Sequence, residues 1–207
     1  MMHILLLIFF GIFGYLSGSL CSAIIISKIF NLPDPREGGS KNPGATNVLR
    51  LSGKRNAAIV LLADILKGFI PVIIAQLVDA GVDVVSLTGF AAVMGHMFPI
   101  FFKFKGGKGV ATAMGTFLGM NLIFGTIIIA TWLLVAKLSH YVSLASIAAI
   151  MLAPFYAIAL TNYTSVFMPL LVISVCVLYK HRGNITRLID GVEPKIDLGP
   201  RPAKPDH

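Results

Sequence analysis

Charged residues are scarce in this chain, and the acidic ones are the scarcest. Only 13% of the 207 residues are charged, with 9 Asp and Glu against 17 Lys and Arg. Hydrophobic residues make up 56%, and the mean hydropathy is +0.85, a balance that excludes an ordinary soluble domain. The composition therefore predicts a single all-α integral membrane domain over residues 1–207.

Cysteine is nearly absent as well. Cys21 and Cys176 both lie in apolar runs and lack the spacing of a disulfide framework or a metal site. The chain also lacks a Ser–His–Asp set and a zinc-type cluster, so we expect no bound metal. The net charge of +8 indicates basic loops on the cytoplasmic side of a membrane rather than a nucleic-acid partner.

Long apolar runs predict the membrane spans. They cover residues 4–30, 57–78, 84–102, 110–136, 141–160 and 165–179. The fourth run is interrupted by several glycines and by Asn121, so it predicts either one long tilted helix or two short helices with a turn near residues 119–121. The tail from residue 180 is polar, and we expect it to be flexible over about residues 195–207.

The distribution of charge favours two helices in the fourth run. Two crossings would place every Lys and Arg outside the spans in loops 31–56, 103–109 and 137–140 and in the tail. The opposite loops would then hold only Asp79 and Asp83. The positive-inside rule thus predicts seven transmembrane helices, with the N-terminus outside and the C-terminus in the cytoplasm.

A polar segment, residues 34–50, separates the first two spans and has the composition of an anion site. Glycines let backbone N–H groups turn inward, short polar side chains offer hydrogen bonds, and arginine matches phosphate oxygens. The alternative is a cytoplasmic loop that is basic only because of topology. The residues that would form the site are Gly39, Ser40, Asn42, Gly44, Thr46, Asn47 and Arg50.

Charged and histidine side chains also occur inside the second and third spans. Asp64 and Lys67 are three residues apart and share a helix face, so they form a structural ion pair, contact a substrate, or do both. His96, near the end of the third span, is either an interior histidine or a site residue.

Two further stretches carry phosphate-type chemistry. In residues 104–109, Gly106 and Gly107 would expose backbone N–H groups at the start of the next helix, and Lys108 is best placed to reach an anion. The spacing is not that of a Walker A motif. Beyond the last span, His181 and Asn184 share a face if the helix continues. The alternatives are interfacial lysines and a basic stop signal, but neither explains the glycines and amides beside the charges.

Taken in order, the motifs of the chain resemble the PlsY family of bacterial membrane glycerol-3-phosphate acyltransferases. They lie at residues 18–19, 32–36, 39–50, 64–68, 95–99, 104–112 and 184–188. One departure is Lys41, at a position that is often glycine in the family. The resemblance implies a seven-helix, multi-pass protein of the bacterial cytoplasmic (inner) membrane. It also implies transfer of an acyl group from acyl phosphate to the 1-hydroxyl of glycerol 3-phosphate, the first acylation step of phospholipid synthesis.

The resemblance also assigns roles and partners. It implies that no cofactor and no acyl-CoA are used, that membrane lipid surrounds the enzyme, and that the soluble enzyme which makes acyl phosphate contacts it. Glycines and short polar residues would shape a phosphate pocket, while the proton acceptor is either His181 or an oxygen of the donor phosphate. The catalytic set would be Ser40, Arg50, Lys108, His181 and Asn184, and the binding set Gly39, Asn42, Gly44, Thr46, Asn47, Asp64, Lys67, His96, Gly106 and Gly107.

Two other functions fit parts of the sequence. A carrier for an organic phosphate would suit the basic loops and the intramembrane pair of Asp64 and Lys67, but no inverted repeat is evident. A small membrane scaffold would leave the glycine-rich loops unexplained.

Overall fold

The computed structural model describes residues 1–161 and 164–196, and every regular element within those ranges is helical. Two short 3₁₀ turns, Ile100–Phe102 and Thr164–Val166, accompany the helices. This content confirms the predicted all-α membrane class. The helices are α1 (Met2–Gly18), α2 (Ser22–Ile29), α3 (Ala45–Leu77), α4 (Val82–Met97), α5 (Val110–Met120), α6 (Leu122–Ser139), α7 (Val142–Thr161), α8 (Phe167–Lys180) and α9 (Arg182–Ile189).

Length and apolar composition identify the spans. Within the described residues, α3, α4 with its following turn, α6 and α7 are each long and apolar enough to cross a membrane. The pairs α1–α2 and α8–α9 qualify as bent spans, with angles of 45° and 59°, and α5 is a shorter apolar helix. If α5 also crosses, the number of spans is seven, and both this number and the orientation of the termini stay predictions.

The apolar run over residues 110–136 forms two helices rather than one. Asn121 has extended backbone angles (φ −160°, ψ 124°) and ends α5. Its side-chain oxygen accepts a hydrogen bond from the Phe124 N–H at 2.9 Å and so caps α6. The amide side chain of Asn121 therefore decides between the two alternatives that the sequence left open.

One predicted boundary was wrong. The loop predicted at residues 31–56 ends at Gly44, because α3 begins at Ala45 and passes through a break at Gly53 (φ 82°). Thr46, Asn47 and Arg50 consequently lie on a helix. The first span is divided at residues 19–21, and the tail begins with the helix α9. Residues 197–207, which include most of the predicted flexible tail, lie outside the described residues.

Close packing of glycines joins α1 to α4. A Cβ atom at Gly18 would lie 1.9 Å from the Ala92 carbonyl oxygen, and one at Gly95 would lie 2.2 Å from the Tyr15 carbonyl oxygen. No side chain fits at either distance, so these residues let the two backbones touch, as is typical of membrane helix pairs. The contact holds α4, whose last turn carries His96, in a fixed place.

The basic segments collect at one end of the helix bundle, called here the basic end and formed by residues 34–50, 103–109 and 180–196. Side chains from all three segments line a common cavity. The opposite end carries acidic groups, where Asp83 pairs with His3 at 2.7 Å. This division matches the one-sided charge distribution of the sequence.

We predict that the basic end faces the cytoplasm. In a background with both native cysteines replaced by alanine, Asp79→Cys should react with an impermeant thiol reagent added to spheroplasts, whereas Arg55→Cys should react only after the membrane is permeabilised. Labelling of Arg55→Cys from outside would contradict the orientation.

Candidate active site at the basic end

A cavity of about 290 Å³ extends from the basic end into the helix bundle. It continues into an open vestibule of about 510 Å³, and the two share Ser40, Asn42, Arg50, Lys108 and Asn184. Another cavity, of about 480 Å³, lies at the acidic end, and its lining residues include Asp79 but no Lys or Arg. Of these spaces, all lined by described residues, the cavity at the basic end is the one that combines Lys and Arg with buried polar side chains.

Most of the residues singled out from the sequence meet in this cavity. Gly39 borders the vestibule. Lys67, Gly106 and Gly107 are the predicted site residues that line neither space. The residues that do line the cavity are Ser40, Asn42, Gly44, Thr46, Asn47, Arg50, Asp64, His96, Lys108, His181 and Asn184.

Three helices begin at the cavity. Gly44 is the N-cap of α3 and Gly109 (φ 85°) is the N-cap of α5, and neither supplies a side-chain cap. The first residues of α7, Val142 and Ser143, also line the cavity. Helix N-termini present N–H groups and a partial positive charge, so this convergence favours an anion even before side-chain charges are counted.

Lys108 is joined to α9 by a chain of hydrogen bonds. Its Nζ donates to Asn184 Oδ1, and Asn184 Nδ2 donates to Glu193 Oε1 at 2.6 Å. Arg187 Nε donates to Glu193 Oε2 at 2.7 Å. Burial lowers the pKa of Lys108 to about 8, and the charge of Glu193 opposes this effect only in part. Lys108 is thus a partly desolvated cation held in a fixed direction.

Glu193 and Arg187 were not among the predicted site residues. Glu193 follows α9 and is 8% exposed, and its segment is anchored by a hydrogen bond from the Ile196 N–H to the His140 carbonyl oxygen at 2.8 Å. The sequence feature that could have identified Glu193 as a site residue is its position as a lone glutamate within a basic tail. Ser143 and Ser146, at the start of α7, also line the cavity and carried no signal in the sequence that separates them from core serines.

His181 lies at the bend between α8 and α9 and is 3% exposed. Its Nδ1 lies 2.8 Å from the Val177 carbonyl oxygen. Because a carbonyl oxygen only accepts, Nδ1 carries the proton and Nε2 offers a lone pair. Burial and the charge of Lys108 lower the pKa of His181 to about 4, so the ring is neutral at physiological pH.

Asn47 uses its polar atoms to brace the loop before α3. Its Oδ1 accepts from the Ser40 N–H at 2.9 Å, and its Nδ2 donates to the carbonyl oxygens of Pro35 and Gly38 at 2.8 and 3.0 Å. The loop also requires φ 56° at Lys41. That left-handed conformation favours glycine, which accounts for the family preference at this position.

Asp64, Lys67 and His96 form a buried group beside the cavity. Lys67 Nζ lies 2.8 Å from Asp64 Oδ1 and donates to the Leu20 carbonyl oxygen at 2.7 Å, in the break between α1 and α2. His96 Nδ1 lies 3.5 Å from Asp64 Oδ1. Lys67 therefore has a structural contact on each side and lines neither the cavity nor the vestibule. The ion pair with Asp64 is present, and a contact of Lys67 with substrate stays a prediction.

The N–H group of Gly107, predicted to face a phosphate, already has a partner within the protein. The Gly107 N–H donates to the His96 carbonyl oxygen at 3.2 Å. Both glycines pack directly against His96. Their lack of side chains serves the folding of the loop.

The inner part of the cavity is apolar and opens toward lipid. Apolar side chains of α3, α5 and α6, Met114 among them, line this part. Leu61 on α3 is 43% exposed and Leu133 on α6 is 56% exposed, so both border the surrounding bilayer. Among the described residues, no group of three His, Cys, Asp or Glu side chains is placed to hold a metal ion.

A family model described as "Glycerol-3-phosphate acyltransferase" matches residues 8–191. The chain belongs to this family, which includes PlsY. A "Glycerol-3-phosphate acyltransferase" of Legionella pneumophila (strain Corby) is 56% identical over 191 residues, covering 92% of this chain and 69% of that protein. One of Francisella tularensis subsp. novicida (strain U112) is 51% identical over 185 residues, covering 89% of this chain and 90% of that protein.

Two crystal structures of PlsY (YgiH), described as an integral membrane glycerol 3-phosphate acyltransferase, share the fold. The glycerol 3-phosphate form has a TM-score of 0.87 and 41% identity, and the match covers 92% of this chain and 96% of that one. The lysophosphatidic acid form has a TM-score of 0.83 and 40% identity, and the match covers 92% and 95%. These matches confirm the family that the motifs indicated.

The lowered pKa of Lys108 predicts a pH dependence for this PlsY-family enzyme. Below about pH 8 the ammonium is charged and binds an anion, and above it the charge is lost, so kcat/KM should fall as the pH rises through about 8. Lys108→Arg should remove this alkaline limb from whatever activity it retains, because arginine stays charged.

The same profiles test the neutral state of His181. Lys103→Ala, which changes an exposed lysine outside the cavity, should leave the profile unchanged. His181→Gln should keep the same acid limb as the wild type, because a group with a pKa of about 4 does not titrate near neutrality. If wild type and Lys103→Ala showed an acid limb near pH 6.5 and His181→Gln did not, His181 would be shown to titrate as the essential base.

Proposed function

We propose that this enzyme transfers an acyl group from acyl phosphate to the 1-hydroxyl of glycerol 3-phosphate and releases lysophosphatidic acid and inorganic phosphate. This would be the first acylation step of phospholipid synthesis, at the cytoplasmic face of the bacterial cytoplasmic membrane. The observation that carries the proposal is one cavity with phosphate-type donors at its aqueous mouth and apolar side chains facing lipid. The related crystal structures, named for glycerol 3-phosphate and lysophosphatidic acid, support this assignment.

The two phosphates would bind between α3, α5 and α9. Arg50 and Lys108 supply charge, and Asn184 orients Lys108 through their hydrogen bond. Ser40, Asn42 and Thr46 lie near the N-terminus of α3 and would complete the phosphate pocket with the helix N–H groups. Arg187 borders both the cavity and the vestibule and adds a second guanidinium.

The acyl chain would enter from the bilayer. The apolar part of the cavity is lined by Leu61 and Ile65 on α3, Met114 on α5, and Ile129 and Leu133 on α6. Glycerol 3-phosphate would arrive from water through the vestibule, where a soluble enzyme that makes acyl phosphate would also dock.

The reaction needs little covalent help from the protein. The 1-hydroxyl oxygen attacks the acyl carbonyl carbon, a new ester C–O bond forms, and the bond to the phosphate oxygen breaks. Charge neutralisation and positioning of the two substrates supply most of the acceleration. The phosphate group of the donor leaves as inorganic phosphate. Because the hydroxyl attacks the acyl carbon directly, no acyl-enzyme is required.

The hydroxyl proton would pass to a phosphate oxygen rather than to His181. Burial and the charge of Lys108 lower the pKa of His181 and so oppose protonation of its ring, whereas the substrates bring phosphate oxygens of their own. His181 Nε2 would instead accept a hydrogen bond from a substrate hydroxyl and orient it. In this role His181 binds substrate without itself taking the proton.

The choice of donor is the decisive test. Purified protein should form lysophosphatidic acid from palmitoyl phosphate and glycerol 3-phosphate, and should form none from palmitoyl-CoA. Lys108→Ala, purified in parallel, should lose the activity and so control for contaminating acyltransferases. Turnover of palmitoyl-CoA that disappears in Lys108→Ala would refute the proposed donor.

A further inference from the structure

We infer that His96 is the positioning residue for the Lys108 loop. Residues 106 and 107 fold directly against it, and this contact sets where Lys108 meets a phosphate. The inference rests on the proposed function only where turnover is the readout.

The loop is built on His96 at contact distance. The Gly107 N–H donates to the His96 carbonyl oxygen at 3.2 Å. A Cβ atom at Gly106 would lie 2.0 Å from that same oxygen, and a Cβ atom at Gly107 would lie 2.3 Å from His96 Nε2. The backbone of residue 96 therefore leaves no room for a side chain at residue 106, and the imidazole of His96 leaves none at residue 107.

The imidazole of His96 is itself held from several sides. Its Nδ1 lies 3.0 Å from Thr112 Oγ1 on α5 and 3.5 Å from Asp64 Oδ1 on α3. Asp64 pairs with Lys67, which reaches the Leu20 carbonyl oxygen. The side chains in this chain of contacts are all buried. The break in the first span is thereby connected to the loop at the active site.

Lys108 follows Gly107 immediately, so a displaced Gly107 moves the cation. Misplacement of a reacting or binding group by about 1 Å can cost about a hundredfold in rate. A buried imidazole held by α3 and α5 is a more rigid support than a loop in solvent. His96 thus acts on the substrate through the position of Lys108.

The geometry suggests a compensating pair of substitutions. The backbone of Gly107 lies outside the left-handed region, since its φ is not between +20° and +160°. Alanine is therefore acceptable to the backbone, and only the His96 ring opposes it. Shortening residue 96 should make room for the added methyl group.

The test is a double-mutant cycle of Gly107→Ala and His96→Asn. Gly107→Ala should lower kcat/KM for glycerol 3-phosphate by at least about tenfold, and the double variant should return to within about threefold of His96→Asn alone. If Gly107→Ala gives no folded protein, recovery of folded, active protein in the double variant is the same result.

The matched control is Gly183→Ala, which also adds a methyl group at the basic end. Its Cβ atom would meet nothing closer than Arg187 at 3.6 Å, so its effect should simply add to that of His96→Asn. Additive losses for Gly107→Ala and His96→Asn would overturn the inference. The same four proteins are also compared by the rise in melting temperature that glycerol 3-phosphate causes. This readout needs no acyl donor, so an error in the proposed donor and an error in the role of His96 give different outcomes.

Discussion

The central constraint on this structure is the placement of phosphate charge beside hydrocarbon. Anions at a membrane border lose hydration and must be neutralised by fixed groups. In the proposed function the compensation would come from the N-termini of α3, α5 and α7 together with Arg50 and Lys108. The helix N-termini and Lys108, which Asn184 holds, are in place before a ligand arrives, so they need little reorganisation on binding.

The interior of the bundle serves this placement. Glycines bring α1 against α4, which fixes the last turn of α4. The loop before α5 packs on that turn, while Glu193 ties Asn184 to Arg187 on the other side of the cavity. A polar site is therefore supported by apolar packing and by hydrogen bonds that fix the side chains lining it.

Much of the fold and of the site could be predicted from the sequence. Apolar runs located the spans, and motifs brought most cavity residues together on one face. The roles of individual side chains were harder to predict, because they depend on which atoms are already engaged. Gly107 and Lys67 have types and positions that suit phosphate binding, yet their N–H and ammonium groups contact His96 and Leu20. Glu193 was missed because its partners come from α9 and its burial depends on the chain that follows.

The proposed mechanism requires that the site hold two phosphates at once, and this simultaneous occupancy can be measured directly. Calorimetric titration of glycerol 3-phosphate into the protein, repeated at increasing concentrations of a non-reactive alkyl phosphonate that mimics the donor, gives the answer. We predict that the affinity for glycerol 3-phosphate changes by less than about tenfold as the phosphonate concentration rises, and then reaches a plateau. Two coupled sites that are occupied together behave in this way. A fall in affinity that continues in proportion to the phosphonate concentration would show that one site serves both ligands and would contradict the account.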